Sequence, residues 1–232
     1  MVMESLRLWL RPPAQPIADP VHWEGEQLIE EALDQGRGLV FLTPHMGSFE
    51  ITAQAYAQEF GGRQPITVMF RPARYRLLRE LEETARARPA LATAPASLGG
   101  VRQMMRALRR GEAVGLLPDQ VPPQGMGVWA DFFGKPAYTM TLAARLAQQS
   151  GAPIVLAWCE RLPEGSGFHL RLSRLAEPLP TEGADSEALQ QAQAAVINRA
   201  MQQLILQCPQ QYLWGYNRYK VPRRLAASAQ SP

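Results

Sequence analysis

The chain is poor in the residues on which several protein classes depend. It has two cysteines, Cys159 and Cys208, far apart and without CxxC spacing. That excludes a disulfide scaffold, a zinc ribbon and a redox pair, and fits a reducing compartment. Its three histidines, His22, His45 and His169, show no metal-ligand spacing, so no metal is implied. No run approaches the roughly 18 apolar residues of a membrane-spanning helix. The longest apolar runs, around Leu39–Leu42 and Ile154–Trp158, suit buried strands. Glu4 and Arg7 interrupt the apolar start and no small-residue cleavage site follows. The expectation is therefore neither a cleaved signal peptide nor a transmembrane anchor. Lysine is nearly absent, 2 residues against 22 arginines.

The formal charge is only +3, but it is unevenly spread. From Arg71 to Arg110 there are ten arginines against three glutamates, and Arg218 to Arg224 adds four cations and no acid. Clustering of this kind attracts an anionic partner, and the planar guanidinium suits phosphate or carboxylate. A coding bias towards arginine explains the number, though not the placement. The helical face of Arg102, Arg106, Arg109 and Arg110 reads first as a solvated face.

Periodicity places strands at Leu39–Thr43, Ile66–Phe70, Ala113–Leu117, Pro153–Cys159 and, with alternating polarity, Phe168–Leu172. Helical spacing covers Trp23–Gln35, Phe49–Phe60, Arg74–Arg86, Ser97–Arg110, Thr141–Ser150 and Asp185–Gln207. A Pro/Gly-rich loop runs from Pro118 through Gly127. Alternation of strand and helix predicts one α/β domain with a mostly parallel central sheet flanked by helices. The expected boundaries are an interfacial segment over 1–20, the domain over 21–224 and a tail over 225–232.

Ligand sites in such sheets form at the carboxyl ends of strands. Three loops qualify: His45 to Ser48, Arg71 to Arg74, and Asp119 to Gly127. His45 precedes a helix that Ser48 is placed to cap, and Glu50 falls in its first turn. Two helical residues five apart diverge by roughly 140°, so the two side chains meet only if His45 lies ahead of the helix and the chain folds back. Gly47 makes that bend inexpensive. Glu50 would then fix the imidazole tautomer, leaving the other nitrogen to take a proton from an attacking hydroxyl.

The run Leu39-Val-Phe-Leu-Thr-Pro-His-Met-Gly-Ser-Phe-Glu50 is similar to the HxxxxD/E block of the lysophospholipid acyltransferases. It most resembles the lipid A biosynthesis acyltransferases, which transfer lauroyl or myristoyl groups from acyl carrier protein. Met69-Phe-Arg-Pro72, Leu117-Pro-Asp-Gln120, Val128 with Phe132-Phe-Gly134, and Pro209-Gln-Gln-Tyr-Leu-Trp214 follow in order and resemble later blocks of that family. The resemblance covers roughly Val21 to Arg224. It implies an O-acyltransferase in which His45 is the base and Glu50 its partner. Arg71 contacts substrate phosphate or the reacting centre, Asp119 and Gln120 belong to the same pocket, and Arg86 or Arg88 fills a further arginine position.

It also implies acyl carrier protein, or less readily CoA, as thioester donor, with no other cofactor. The acceptor would be an anionic glycolipid resembling lipid A, reached at the cytoplasmic face of the bacterial inner membrane. The family's N-terminal anchor is not recognisable here, Pro89 replaces an expected glycine turn, and Gly215-Tyr216-Asn217 replaces a more basic, His-containing segment. Those departures leave two rivals: an enzyme for another lysophospholipid or glycolipid, and a non-catalytic lipid-binding relative.

Other motifs fail on context. Gly125-Met-Gly-Val-Trp-Ala130 matches a dinucleotide fingerprint but follows a proline-rich turn instead of a strand. Pro95-Ala-Ser-Leu-Gly99 lacks the first glycine of a nucleophile elbow. The segment Tyr212 to Arg224 alternates aromatics with cations, a pattern suited to packing on the sheet, to a lipid headgroup interface or, least of the three, to nucleic-acid bases. No nucleic-acid partner is expected.

Overall fold

The computed structural model describes residues 8, 10–12, 15–17, 20–70 and 88–222. The element order is β1 (Val21–Glu24), α1 (Gln27–Asp34), β2 (Leu39–Leu42), α2 (Phe49–Glu59), β3 (Ile66–Phe70), β4 (Leu91–Pro95), α3 (Leu98–Arg109), β5 (Ala113–Leu116), β6 (Gly127–Phe132), β7 (Lys135–Met140), α4 (Leu142–Ser150), β8 (Ile154–Arg161), β9 (Phe168–Arg174) and α5 (Ser186–Gln207). Seven strands form one sheet in the order β1-β9-β8-β2-β5-β3-β4. Pairing is parallel except between β8 and β9, so the expected α/β architecture is what forms. The helix expected over Arg74–Arg86 lies outside the described residues.

Both faces of the sheet are covered, which is why its central strands read as unbroken apolar runs. Along β2 every residue is buried. Val40 and Leu42 point into one layer with Met104 and Leu108 of α3, Leu146 of α4 and Ile197 and Met201 of α5. Leu39 and Phe41 point into the other with Ile29 of α1 and Ile51, Ala55 and Tyr56 of α2. Leu8 and Ile17 are buried in that second layer too. Burial of each large aliphatic side chain contributes about 1.5–3 kcal/mol.

Three elements differ from the sequence reading. Val21–Glu24 is a strand paired in parallel with β9, where the reading began a helix at Trp23; the alternating exposure of its residues is a two-residue period too short to register. Leu91–Pro95 is an edge strand ending in proline, which proline tolerates only at such positions. Gly127 to Met140, where the reading left a loop and a family block, is an antiparallel hairpin, β6 to β7. Its turn residues Phe133 and Gly134 have φ of 50° and 71°, as a tight two-residue hairpin turn requires. Phe133 conceals a turn that asparagine would have announced.

Candidate active site

β2 stops at Leu42 and the chain leaves the sheet as Thr43-Pro44-His45-Met46-Gly47-Ser48 before α2. β5 stops at Leu116 and continues as Leu117-Pro118-Asp119-Gln120. Leu42 and Leu116 are register partners in the parallel pairing. His45 and Asp119, each three residues further on, therefore emerge at the same level from adjacent strands.

Asp119 takes both hydrogens that His45 presents on that side. The backbone amide of His45 donates to Oδ2 at 2.9 Å and Nδ1 to Oδ1 at 2.7 Å. Asp119 is 2% exposed, and hydrogen bonds to a buried charged group are worth about 1.5–3 kcal/mol each. A carboxylate only accepts, so Nδ1 carries a ring hydrogen, and in the neutral imidazole Nε2 keeps its lone pair. Nε2 faces Nε2 of Gln120 at 3.1 Å, which donates to it. The place at an imidazole nitrogen that the sequence reading assigned to Glu50 is held at Nδ1 by Asp119, because pairing of β2 with β5 delivers that carboxylate directly. Glu50 sits in the first turn of α2 and lines the same cavity as His45.

The loop carrying His45 is fixed from several sides. Gly47 has φ of 56°, a conformation glycine adopts without cost, and a Cβ there would stand 2.0 Å from the carbonyl oxygen of Cys159. The Ser48 amide donates to that same oxygen at 2.8 Å. Ser48 occupies the N-cap position of α2 as expected, but its side chain makes no capping bond. From the other side comes the segment that follows α5. Gly47 N–H donates to the Gln211 carbonyl at 2.9 Å and Leu213 N–H to the His45 carbonyl at 3.0 Å, with Met46 and Tyr212 forming an antiparallel bridge.

The same segment also supplies polar groups around Asp119. The Tyr212 phenol lies near Asp119; burial pushes its pKa well above the ordinary value, and the negative charge of Asp119 raises it further. Arg218, 3% exposed, donates to the Tyr138 carbonyl at 2.8 Å and to Thr139 Oγ1 at 2.7 Å and stacks over Phe132. Burial lowers its pKa, and the nearby charge of Asp119 opposes that shift. Sequence reasoning gave neither residue a place at the site. The alternation of aromatics and cations after Tyr212 was visible, but it carries no local sign of which loop it meets.

A cavity of about 380 Å³ opens at these strand ends, within the usual range for ligand sites. His45, Glu50 and Gln120 share its wall with apolar side chains from α2, β3, α3, the end of β5 and the loop after it, among them Ala53, Met69, Phe70, Val101 and Leu116. Phe70 in that wall directly precedes Arg71; Arg71 and Arg86 lie outside the described residues. Arg88 is placed elsewhere. It is 8% exposed and donates to the carbonyls of Arg11 and Leu8, both at 2.8 Å, holding the amino-terminal segment; it is not among the described residues lining the cavity. Arg11 in turn donates to Gln54 Oε1 at 2.7 Å.

Among the described residues no cluster of three His, Cys, Asp or Glu side chains is arranged to hold a metal ion, and no helix is long and apolar enough to cross a membrane. What the arrangement can do is proton transfer at Nε2 beside a largely apolar cavity.

Comparison with known proteins bears on which reaction uses it. Residues 1–221 match the family described as bacterial lipid A biosynthesis acyltransferase. Among curated proteins the chain is 27% identical over 220 residues to a lipid A biosynthesis lauroyltransferase of Escherichia coli (strain K12), covering 94% of this chain and 68% of that one. It is 28% identical over 200 residues to the palmitoleoyltransferase of the same organism, covering 85% and 60%. A lipid A biosynthesis acyltransferase of Haemophilus influenzae is 24% identical over 190 residues, covering 82% and 56%. The chain thus spans from a little over half to about two thirds of the length of these relatives.

Proposed function

The chain belongs to the bacterial lipid A biosynthesis acyltransferase family, and from that premise we propose that it moves a fatty acyl group from a thioester donor to a hydroxyl of a lipid A-like glycolipid. In this reading the acceptor hydroxyl displaces the Gln120 amide from Nε2 of His45 and gives its proton to that nitrogen as its oxygen attacks the thioester carbonyl. The C–S bond then breaks, the ester C–O bond remains, and the departing thiolate takes the proton back from the imidazolium. Asp119 holds the tautomer and stabilises the transient positive ring. Glu50 is assigned to the same cavity as a second carboxylate near the reacting groups. The oxyanion is assigned to Arg71 or loop amides. The donor is acyl carrier protein, with CoA as the alternative, and the acyl chain lies along the apolar wall. The work is done at the cytoplasmic face of the inner membrane, against the lipid surface.

The observation that supports this reading most directly is a histidine oriented at Nδ1 by a buried carboxylate, with Nε2 directed to the rim of an apolar cavity. The test is transfer from an acylated carrier protein to a lipid A precursor by the purified protein. Wild type should acylate the glycolipid and His45→Ala should lose the activity; normal transfer by His45→Ala removes the assignment of the base.

A further inference from the structure

α3 carries Arg102, Arg106 and Arg109 and α4 carries Arg145, and neither helix contains an acidic residue. All four side chains are exposed, and with Val101, Met105 and Gln149 they line a groove of about 500 Å³ between the two helices. Elsewhere several surface arginines meet carboxylates. Arg110 pairs with Glu112, Arg171 with Glu24 and Glu160, and Arg199 with Glu177. Among the described residues no carboxylate pairs with the four that line the groove. Arg102 and Arg106 are four apart and Arg106 and Arg109 three apart, so they stack on one helical face where like charges repel. Arg145 is near the amino end of α4, where the helix dipole disfavours a cation.

We infer that this groove is the docking surface for an acidic helix of the carrier protein that delivers the acyl group; the inference rests on the donor assigned above. Three features favour a protein over a lone phosphate. The cations run along α3 from residue 102 to 109, a span of about 10 Å at ~1.5 Å per residue, which matches carboxylates repeated along a partner helix. A single phosphate is instead best held by guanidiniums converging on one point. Met105 and Val101 lie among the arginines, and arginine with methionine is a combination enriched at protein interfaces. Val101 also lines the catalytic cavity. A donor seated on the groove therefore stands one side chain away from the space its acyl chain must enter, and the field of four cations steers an acidic protein towards it.

The test compares two thioesters carrying the same acyl group, one on acyl carrier protein and one on pantetheine, which lacks the acidic protein. For the triple variant Arg102→Glu, Arg106→Glu, Arg109→Glu, and separately for Arg145→Glu, KM for the carrier-protein donor should rise tenfold or more at low salt. kcat, melting temperature and transfer from acyl-pantetheine should stay within twofold of wild type or, for melting, unchanged. An unchanged KM for the carrier-protein donor overturns the inference. So does a rise confined to KM for the phosphorylated acceptor, which would make the groove an acceptor site. A wild-type protein that uses acyl-pantetheine and ignores the carrier protein is a different result: it removes the donor assignment itself.

Discussion

Nδ1 of His45 lies 2.7 Å from Oδ1 of Asp119, 74 residues away in the chain, and the other oxygen of the same carboxylate accepts the His45 backbone amide. One side chain thus fixes the ring's rotation, its tautomer and the path of the backbone that carries it.

Asp119→Asn keeps the size of that group but removes its charge and one acceptor. Positioned proton transfer contributes about 10²–10⁴-fold, so kcat should fall about a hundredfold or more with KM little changed. Steady-state transfer assays read this. A loss smaller than threefold would show that Asp119 does not orient the base.

Gly47→Ala attacks the same geometry through the backbone. An added Cβ meets the Cys159 carbonyl at 2.0 Å in a left-handed conformation, and alanine where φ is positive costs more than about 1 kcal/mol. A chain of this size melts about 2–4 °C lower per kcal/mol lost. Thermal denaturation should show at least that drop, with activity falling along with it because Gly47 is two residues from His45.

Ala53, half-buried on α2, lines the cavity. Each buried methylene is worth about 0.8 kcal/mol, so kcat/KM should rise about tenfold for every two carbons added to the donor's acyl chain until the cavity is full. Ala53→Phe fills part of that space. A donor series of increasing chain length should reach its plateau at shorter chains in the variant; an identical plateau would place the acyl chain elsewhere.

Arg88→Ala separates substrate contact from support of the amino-terminal segment. Loss of two bonds from a buried guanidinium to the Leu8 and Arg11 carbonyls should cost about 1–3 kcal/mol. It should also speed proteolysis between residues 8 and 17. KM values for donor and acceptor should not move; a rise in either would return Arg88 to the substrate.

Much of this molecule was legible locally. The apolar run Leu39–Leu42 states a strand buried on both faces, the 3.6-residue period from Phe49 states the helix behind it, and Gly47 states the bend between them. The ordered blocks around His45, Asp119 and Trp214 state the family. Short or disguised elements were not legible: β1 has only four residues, and Phe133 occupies a turn position that usually announces itself with asparagine or glycine.

By itself, then, the sequence determined the α/β pattern, the histidine ahead of a helix and the acyltransferase resemblance, because each is written in neighbouring residues. Only the tertiary structure decided which carboxylate meets Nδ1. That depends on pairing Leu42 with Leu116 across β2 and β5, and a sheet register between distant segments leaves no mark in either segment alone. The same is true of the segment after α5, whose Tyr212 and Arg218 become neighbours of Asp119 only when it folds back against the His45 loop.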